Sequence, residues 1–260
     1  MLDVHPPHET AHSWRDFFIH IATICIGLLI AIGLEQSVEA IHHRHQREDL
    51  EHQMHAESVQ NLDLVDAQIL YTAQSRDYLD ACIRALQSAA PSNGQFAVTL
   101  PINNVSLPAS SQGMLISPSR GTWTVAQAAG TVALLPPEMA KVYARLDLNA
   151  QFEQQAETDT VQAGNNLVSA ILQNHAATGH PLRLTQAQVD DLLYAFGTTR
   201  EAATLFHFRL VVLKGALEAV VANVDTLQQM YPYQIRAIAR EGANSAASRA
   251  RDLTNSAPQP

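Results

Sequence analysis

The chain has 260 residues, 47% of them hydrophobic and only 16% charged, where soluble domains average about 25% charged. This composition excludes global disorder. With 25 acidic residues against 16 basic ones the net charge is −9, so phosphate backbones are repelled and no nucleic-acid partner is expected. The two cysteines, Cys25 and Cys82, are too few for a disulfide scaffold or a cysteine-rich metal centre.

After a short N-terminal segment, residues 1–16, the run FFIHIATICIGLLIAIGL from Phe17 to Leu34 contains no Asp, Glu, Lys or Arg. As a helix it rises ~27 Å, close to the ~30 Å hydrocarbon core of a bilayer. Trp14 and Arg15 precede it, where an amphipathic ring and a snorkelling cation suit the headgroup layer. No small-residue cleavage pattern follows. The expectation is an uncleaved signal-anchor, a single-pass transmembrane helix with the lipid bilayer as partner. Arg15 is the basic residue nearest the span, which favours a cytoplasmic N terminus and a bulk domain on the far side. Thr23, Gly27 and Ala31 recur every four residues within the span, a small-residue stripe of the kind that lets two transmembrane helices associate.

From Glu35 to Ser88 no Pro or Gly interrupts a pattern in which Leu62, Val65, Ile69, Leu79, Cys82, Ile83 and Leu86 recur at three- and four-residue steps. Span and segment are expected to form one helix of more than ~70 residues. The stretch 89–121 contains Pro91, Pro101, Pro108 and Pro118, which forbid a long helix. Its apolar residues Phe96, Val98, Leu100, Ile102, Leu107, Leu115 and Ile116 predict an extended strap ordered against the helices.

A short helix near Thr122–Gly130 follows, and Pro136-Pro137-Glu138 opens a long one that runs to about Asn174. Thr185 is the predicted cap of the last helix. Its seam is Val189, Leu192, Phe196, Thr199, Ala203, Phe206, Leu210, Leu213, Leu217, Val220, Val224 and Leu227, a coiled-coil-like pattern. Beyond Tyr231 the pattern fades, and residues 232–260 read as a flexible tail. The expected fold is all-α: a transmembrane helix, 17–34, continuing into a bundle of long antiparallel helices, 35–231.

The chain holds no nucleotide-binding glycine loop, P-loop, nucleophile elbow or HExxH motif. No catalytic residue and no cofactor are assigned. The densest polar run is HHRHQREDLEHQMH, where Glu48, His52 and His55 share a helical face and are the candidate metal ligands. A solvated stripe responsive to pH is the competing reading. Glu153, Glu157 and Asp159 read as a solvated acidic face, and Cys25 and Cys82 as small apolar residues. Asn104-Val105-Ser106 fits a glycosylation sequon.

Two stretches carry a resemblance. IATICIGLLIAIGLEQSVE resembles the anchor of uncharacterised bacterial single-pass membrane proteins that carry a variant of IGxLIAxxL. TWTVAQAAGTVALLPPEMAKVYARL is similar to their midregion, through Trp123, Ala128-Ala129, Gly130, Leu134-Leu135 and Tyr143. The resemblance implies bacterial origin and a membrane-anchored helical architecture; together with the orientation read from Arg15, the expected location is the inner membrane with a periplasmic bulk domain. The expected role is an interaction or sensing module that acts by binding a ligand or protein partner. The alternatives are a structural or assembly factor that dimerises through the transmembrane stripe, and a metal- or pH-responsive protein.

Overall fold

The computed structural model describes residues 14–101, 117–174 and 181–255. The Asn104 sequon and the strap residues Ile102, Leu107, Leu115 and Ile116 lie outside them.

The fold is all-α, as expected. Helix α1 (Trp14–Gln87) is continuous over 74 residues. The chain divides into two compact units, Met1–Asp49 and Leu50–Pro260. In the first, the side chains from Phe17 to Leu34 are exposed, and this run is long and apolar enough to cross a membrane. The second begins at Leu50 rather than at residue 35, because Leu50 is the first core residue on α1 and the side chains of residues 35–45 are exposed.

Within the second unit, α2 (Gly121–Ala129) ends at Gly130, whose φ of 75° supplies the left-handed stop. A 3-10 turn, Thr131–Leu134, leads to Pro136 and α3 (Pro137–Gln173), with proline in the first turn where no amide partner is lost. Helix α4 (Gln186–Val221) opens with a capping box, Thr185 Oγ1 accepting from the Gln188 amide while Gln188 Oε1 accepts from the Thr185 amide.

Two apolar clusters fill the unit. One joins Leu50, Met54 and Val65 of α1 to Val142, Leu146 and Ala150 of α3 and Phe206, Leu210, Leu213 and Leu217 of α4. The other joins Leu79, Cys82 and Leu86 to Leu167, Ile171, Val189, Leu192 and Phe196. The predicted seam of α4 is buried from Val189 to Val220. Leu213 and Leu217 are each 1% exposed. Replacing Leu213 by Ala is expected to cost ~2–5 kcal/mol, read as a lowered thermal midpoint of the detergent-solubilised chain; an unchanged midpoint refutes the seam.

Three features depart from the sequence reading. Helix α4 stops at Val221 instead of continuing to Leu227. Asn223, with φ 55°, closes it: its amide donates to the Val220 carbonyl and that of Val224 to the Ala219 carbonyl, a Schellman stop. The predicted flexible tail is instead helix α5 (Leu227–Asn255), packed on α4. Its buried stripe is Met230, Gln234 and Ala237, with Glu241 half-buried beyond. A stripe half polar carries no visible hydrophobic period, which is why the sequence pattern faded there.

The third departure is a small sheet. Strands β1 (Pro91–Ser92) and β2 (Gln95–Val98) form a hairpin around Asn93-Gly94, whose φ values of 52° and 75° make the turn that suits this dipeptide. Strand β3 (Leu182–Leu184) pairs antiparallel with β2, Phe96 opposite Leu184 and Val98 opposite Leu182. The described parts of the strap dock as expected: Val98, Leu100 and Pro118 are buried and Phe96 half-buried.

Candidate functional site

The sequence-predicted groups separate. Glu48 is paired with Arg44 at 2.7 Å on the exposed helix surface. His52 is exposed, whereas His55 Nε2 lies 3.2 Å from the Val221 carbonyl oxygen, on the α4 terminus. Among the described residues no group of three His, Cys, Asp or Glu side chains is placed to hold a metal. Thr23, Gly27 and Ala31 are exposed; the Thr23 hydroxyl donates to the Ile19 carbonyl at 2.9 Å, and no atom lies within 4 Å of where a Gly27 Cβ would be. Cys82 is fully buried, and burial pushes its thiol up to about 11, so it stays protonated at neutral pH.

The C-terminal end of the strap is stitched between α1 and α3. Asn61 reads the backbone of Ser119 twice, accepting from its amide and donating to its carbonyl, both at 2.8 Å. Arg120 donates to Asp147 at 2.7 Å, the Ser117 hydroxyl to Glu157 at 2.6 Å, and the Thr122 amide to Glu57 at 2.8 Å. Pro118 and Trp123 fill the space between these contacts, and the Trp123 ring lies 6.3 Å from that of Tyr143. Of the residues that carry the midregion resemblance, Trp123, Leu135 and Tyr143 are buried packing residues, whereas Ala128, Ala129 and Gly130 are exposed. Every polar group named here is satisfied by another, so this cleft fixes the strap.

Between the two apolar clusters the seams turn polar. Gln68 and Thr72 of α1, Glu153, Glu157 and Thr160 of α3, and Thr199 and His207 of α4 are all buried. This corrects the reading of Glu153 and Glu157 as a solvated face: Glu153 is 1% exposed and Glu157 9%, and only Asp159 is exposed. Glu153 Oε1 has no hydrogen-bond partner. Burial, with the Glu157 charge one turn away, raises the Glu153 carboxyl to about 8, so it is held neutral at pH 7. A signal was present in the sequence: Val142, Leu146, Asn149, Glu153, Ala156, Thr160, Leu167 and Ile171 continue one seam through the polar stretch.

One open surface groove among the described residues lies between α3 and α4. Ala163, Ala170 and Ala195 line it, small side chains where larger ones would close it. Asp159, Gln162, Asn166 and Gln173 line it from α3, and Asp191 and Tyr194 from α4. Gln155 donates to Asp159 at 2.9 Å and Asn174 to Asp191 at 3.1 Å, so both carboxyl groups are oriented by side-chain amides. The Tyr194 side chain stands 74% exposed beside them. Glu153 and His207, both with shifted ionisation, are buried in the core and do not line this groove.

Comparison with protein-family models, curated proteins and solved structures returns no match.

Proposed function

We propose that this chain is a membrane-anchored helical module that acts by binding, with the α3–α4 groove as its binding face. The observation that carries the reading is the exposed, charge-free run from Phe17 to Leu34 at the start of α1: leaving so many large apolar side chains in water is costly, and a bilayer removes that cost. The resemblance of the anchor to bacterial single-pass proteins, with Arg15 the basic residue nearest the span, supports an inner-membrane location with the bulk domain in the periplasm. The groove supports binding over catalysis. It presents oriented carboxylates, amides and an exposed aromatic ring, while the titratable groups fit for acid–base work are sealed in the core.

The test uses a photoreactive residue at position 194 in native membranes, irradiated and then washed with alkaline carbonate. The chain is expected in the washed pellet with a covalent adduct, and Ala195→Leu, which fills the groove, should abolish that adduct. Recovery of the full-length chain in the wash defeats the anchor. An adduct that survives Ala195→Leu unchanged defeats the groove.

A further inference from the structure

Helix α1 carries an apolar stripe that outruns the span. Ile24, Gly27, Ala31, Leu34, Val38 and Ile41 follow one another at alternating steps of three and four residues, the spacing of a coiled-coil seam. All six are exposed. A bilayer accounts for the first four, but not for Val38 and Ile41, which are 67% and 58% exposed. These two lie past Glu35, the first carboxylate after the span, and sit among Glu39, His42 and His43. Along the helix Ile41 is ~10 Å beyond Leu34, whereas headgroups cover only ~5–8 Å beyond the hydrocarbon. Single apolar side chains on a surface are ordinary. Two that continue the register of the four before them extend one face into water.

Geometry and charge decide what covers that face. Gly27 and Ala31 let a neighbouring helix approach closely inside the bilayer. A single-pass anchor holds every copy of the chain in one orientation, so two copies meet as parallel helices. In a parallel pair the residue before Ala31, Val38 or His45 lies against the residue five further on in the other helix. Ile30 then meets Glu35, Ser37 meets His42, and Arg44 meets Asp49 of the second copy. No like charges face each other, and the outermost pair is of opposite sign. Arg44 and Asp49 are both exposed, and Arg44 is oriented by Glu48 of its own helix at 2.7 Å. The next two seam positions, His45 and Glu48, are polar, so the apolar contact ends at Ile41.

We propose that α1 pairs with α1 of a second copy of this chain, as a parallel coiled coil from Ile24 to Ile41 closed at its outer end by Arg44 and Asp49. The parallel sense rests on the membrane anchor proposed above; the seam uses none of the residues of the α3–α4 groove.

Disulfide trapping of the full chain in native membranes tests the pairing. Cys25→Ser removes the exposed thiol, and Cys82 stays because it is fully buried. In that background Val38→Cys, Glu39→Cys, Ala40→Cys and Ile41→Cys are oxidised one at a time, and the membranes are washed with alkaline carbonate before the products are sized. Val38→Cys and Ile41→Cys are expected to give a product of twice the chain mass, while Glu39→Cys and Ala40→Cys, which point away from the seam, give little or none. Arg44→Glu should lose most of the Val38→Cys product, and adding Asp49→Arg should restore it. Residues 44 and 49 of one helix do not meet, being five apart, so the rescue reports contact between copies. Equal products at all four positions, or none in a chain that stays in the washed pellet, overturn the pairing while the anchor stands. Recovery of the chain in the wash overturns both. A product of any other mass at positions 38 and 41 means that a different protein covers the seam, and overturns the pairing as well.

Discussion

Replacing Gly215 by Leu detaches α5 from α4. A Cβ at this position would lie 2.5 Å from Gln234 Cα, 2.8 Å from its amide nitrogen and 3.0 Å from the Tyr233 carbonyl carbon. These are backbone atoms of a helix, so no side-chain rotation relieves the overlap and the helix itself must shift. Even one added methyl in a tight contact costs ~1–3 kcal/mol. Leucine adds a whole side chain, and the shift exposes Met230, Gln234 and Ala237, which are otherwise buried. Hydrogen exchange across α5 together with the thermal midpoint of the solubilised chain measures the effect. Gly197 on the same helix is the control, because nothing lies within 4 Å of its would-be Cβ. Gly197→Ala should hold or raise stability by up to ~1 kcal/mol, since alanine is the better helix former. Retained α5 protection in Gly215→Leu would mean the helices do not cross this closely.

Glu153 is expected to make the chain less stable as pH rises. Its folded-state carboxyl titrates near 8 against an ordinary value of 4.5, so between those values the folded state holds a proton that the unfolded state has lost. Stability from this group is complete below about pH 4.5, declines by at most ~1.4 kcal/mol per pH unit, and is lost once pH passes about 8. Glu153→Gln has no such proton. The variant should match the wild type near pH 4 and exceed it by several kcal/mol, on the order of 4–5 at most, at pH 9. Denaturant midpoints of both chains across that range decide the matter, and a constant difference between them refutes a neutral buried Glu153. His207, with its depressed pKa, acts with the opposite sign: it contributes stability above the ordinary histidine value that is lost as pH falls.

Local chemistry explains what was legible in advance. The unbroken run from Phe17 to Gln87, the Thr185 cap, the proline start of α3 and the α4 seam are each written within a few residues of where they act. The Asn93-Gly94 hairpin was legible too, but the surrounding prolines masked it as an irregular strap. Helix α5 was not legible, because its contact stripe of Met230, Gln234, Ala237 and Glu241 shows apolar character at only two positions. Glu153 misled for the same reason: a carboxylate on a helix reads as solvated when only its neighbours in sequence are considered.

By itself the sequence determined the apolar span, the helical class and the apolar seams, because hydrophobic periodicity and turn chemistry depend on residues close along the chain. Only the tertiary structure decided the polar core and the α3–α4 groove. Thr72, His207 and Glu241 are separated by 135 and 34 residues, and the groove exists because alanines from two helices come opposite one another. Burial and hydrogen-bond partnership across such distances are properties of the packed chain, and they set which charged groups stay neutral and which face water.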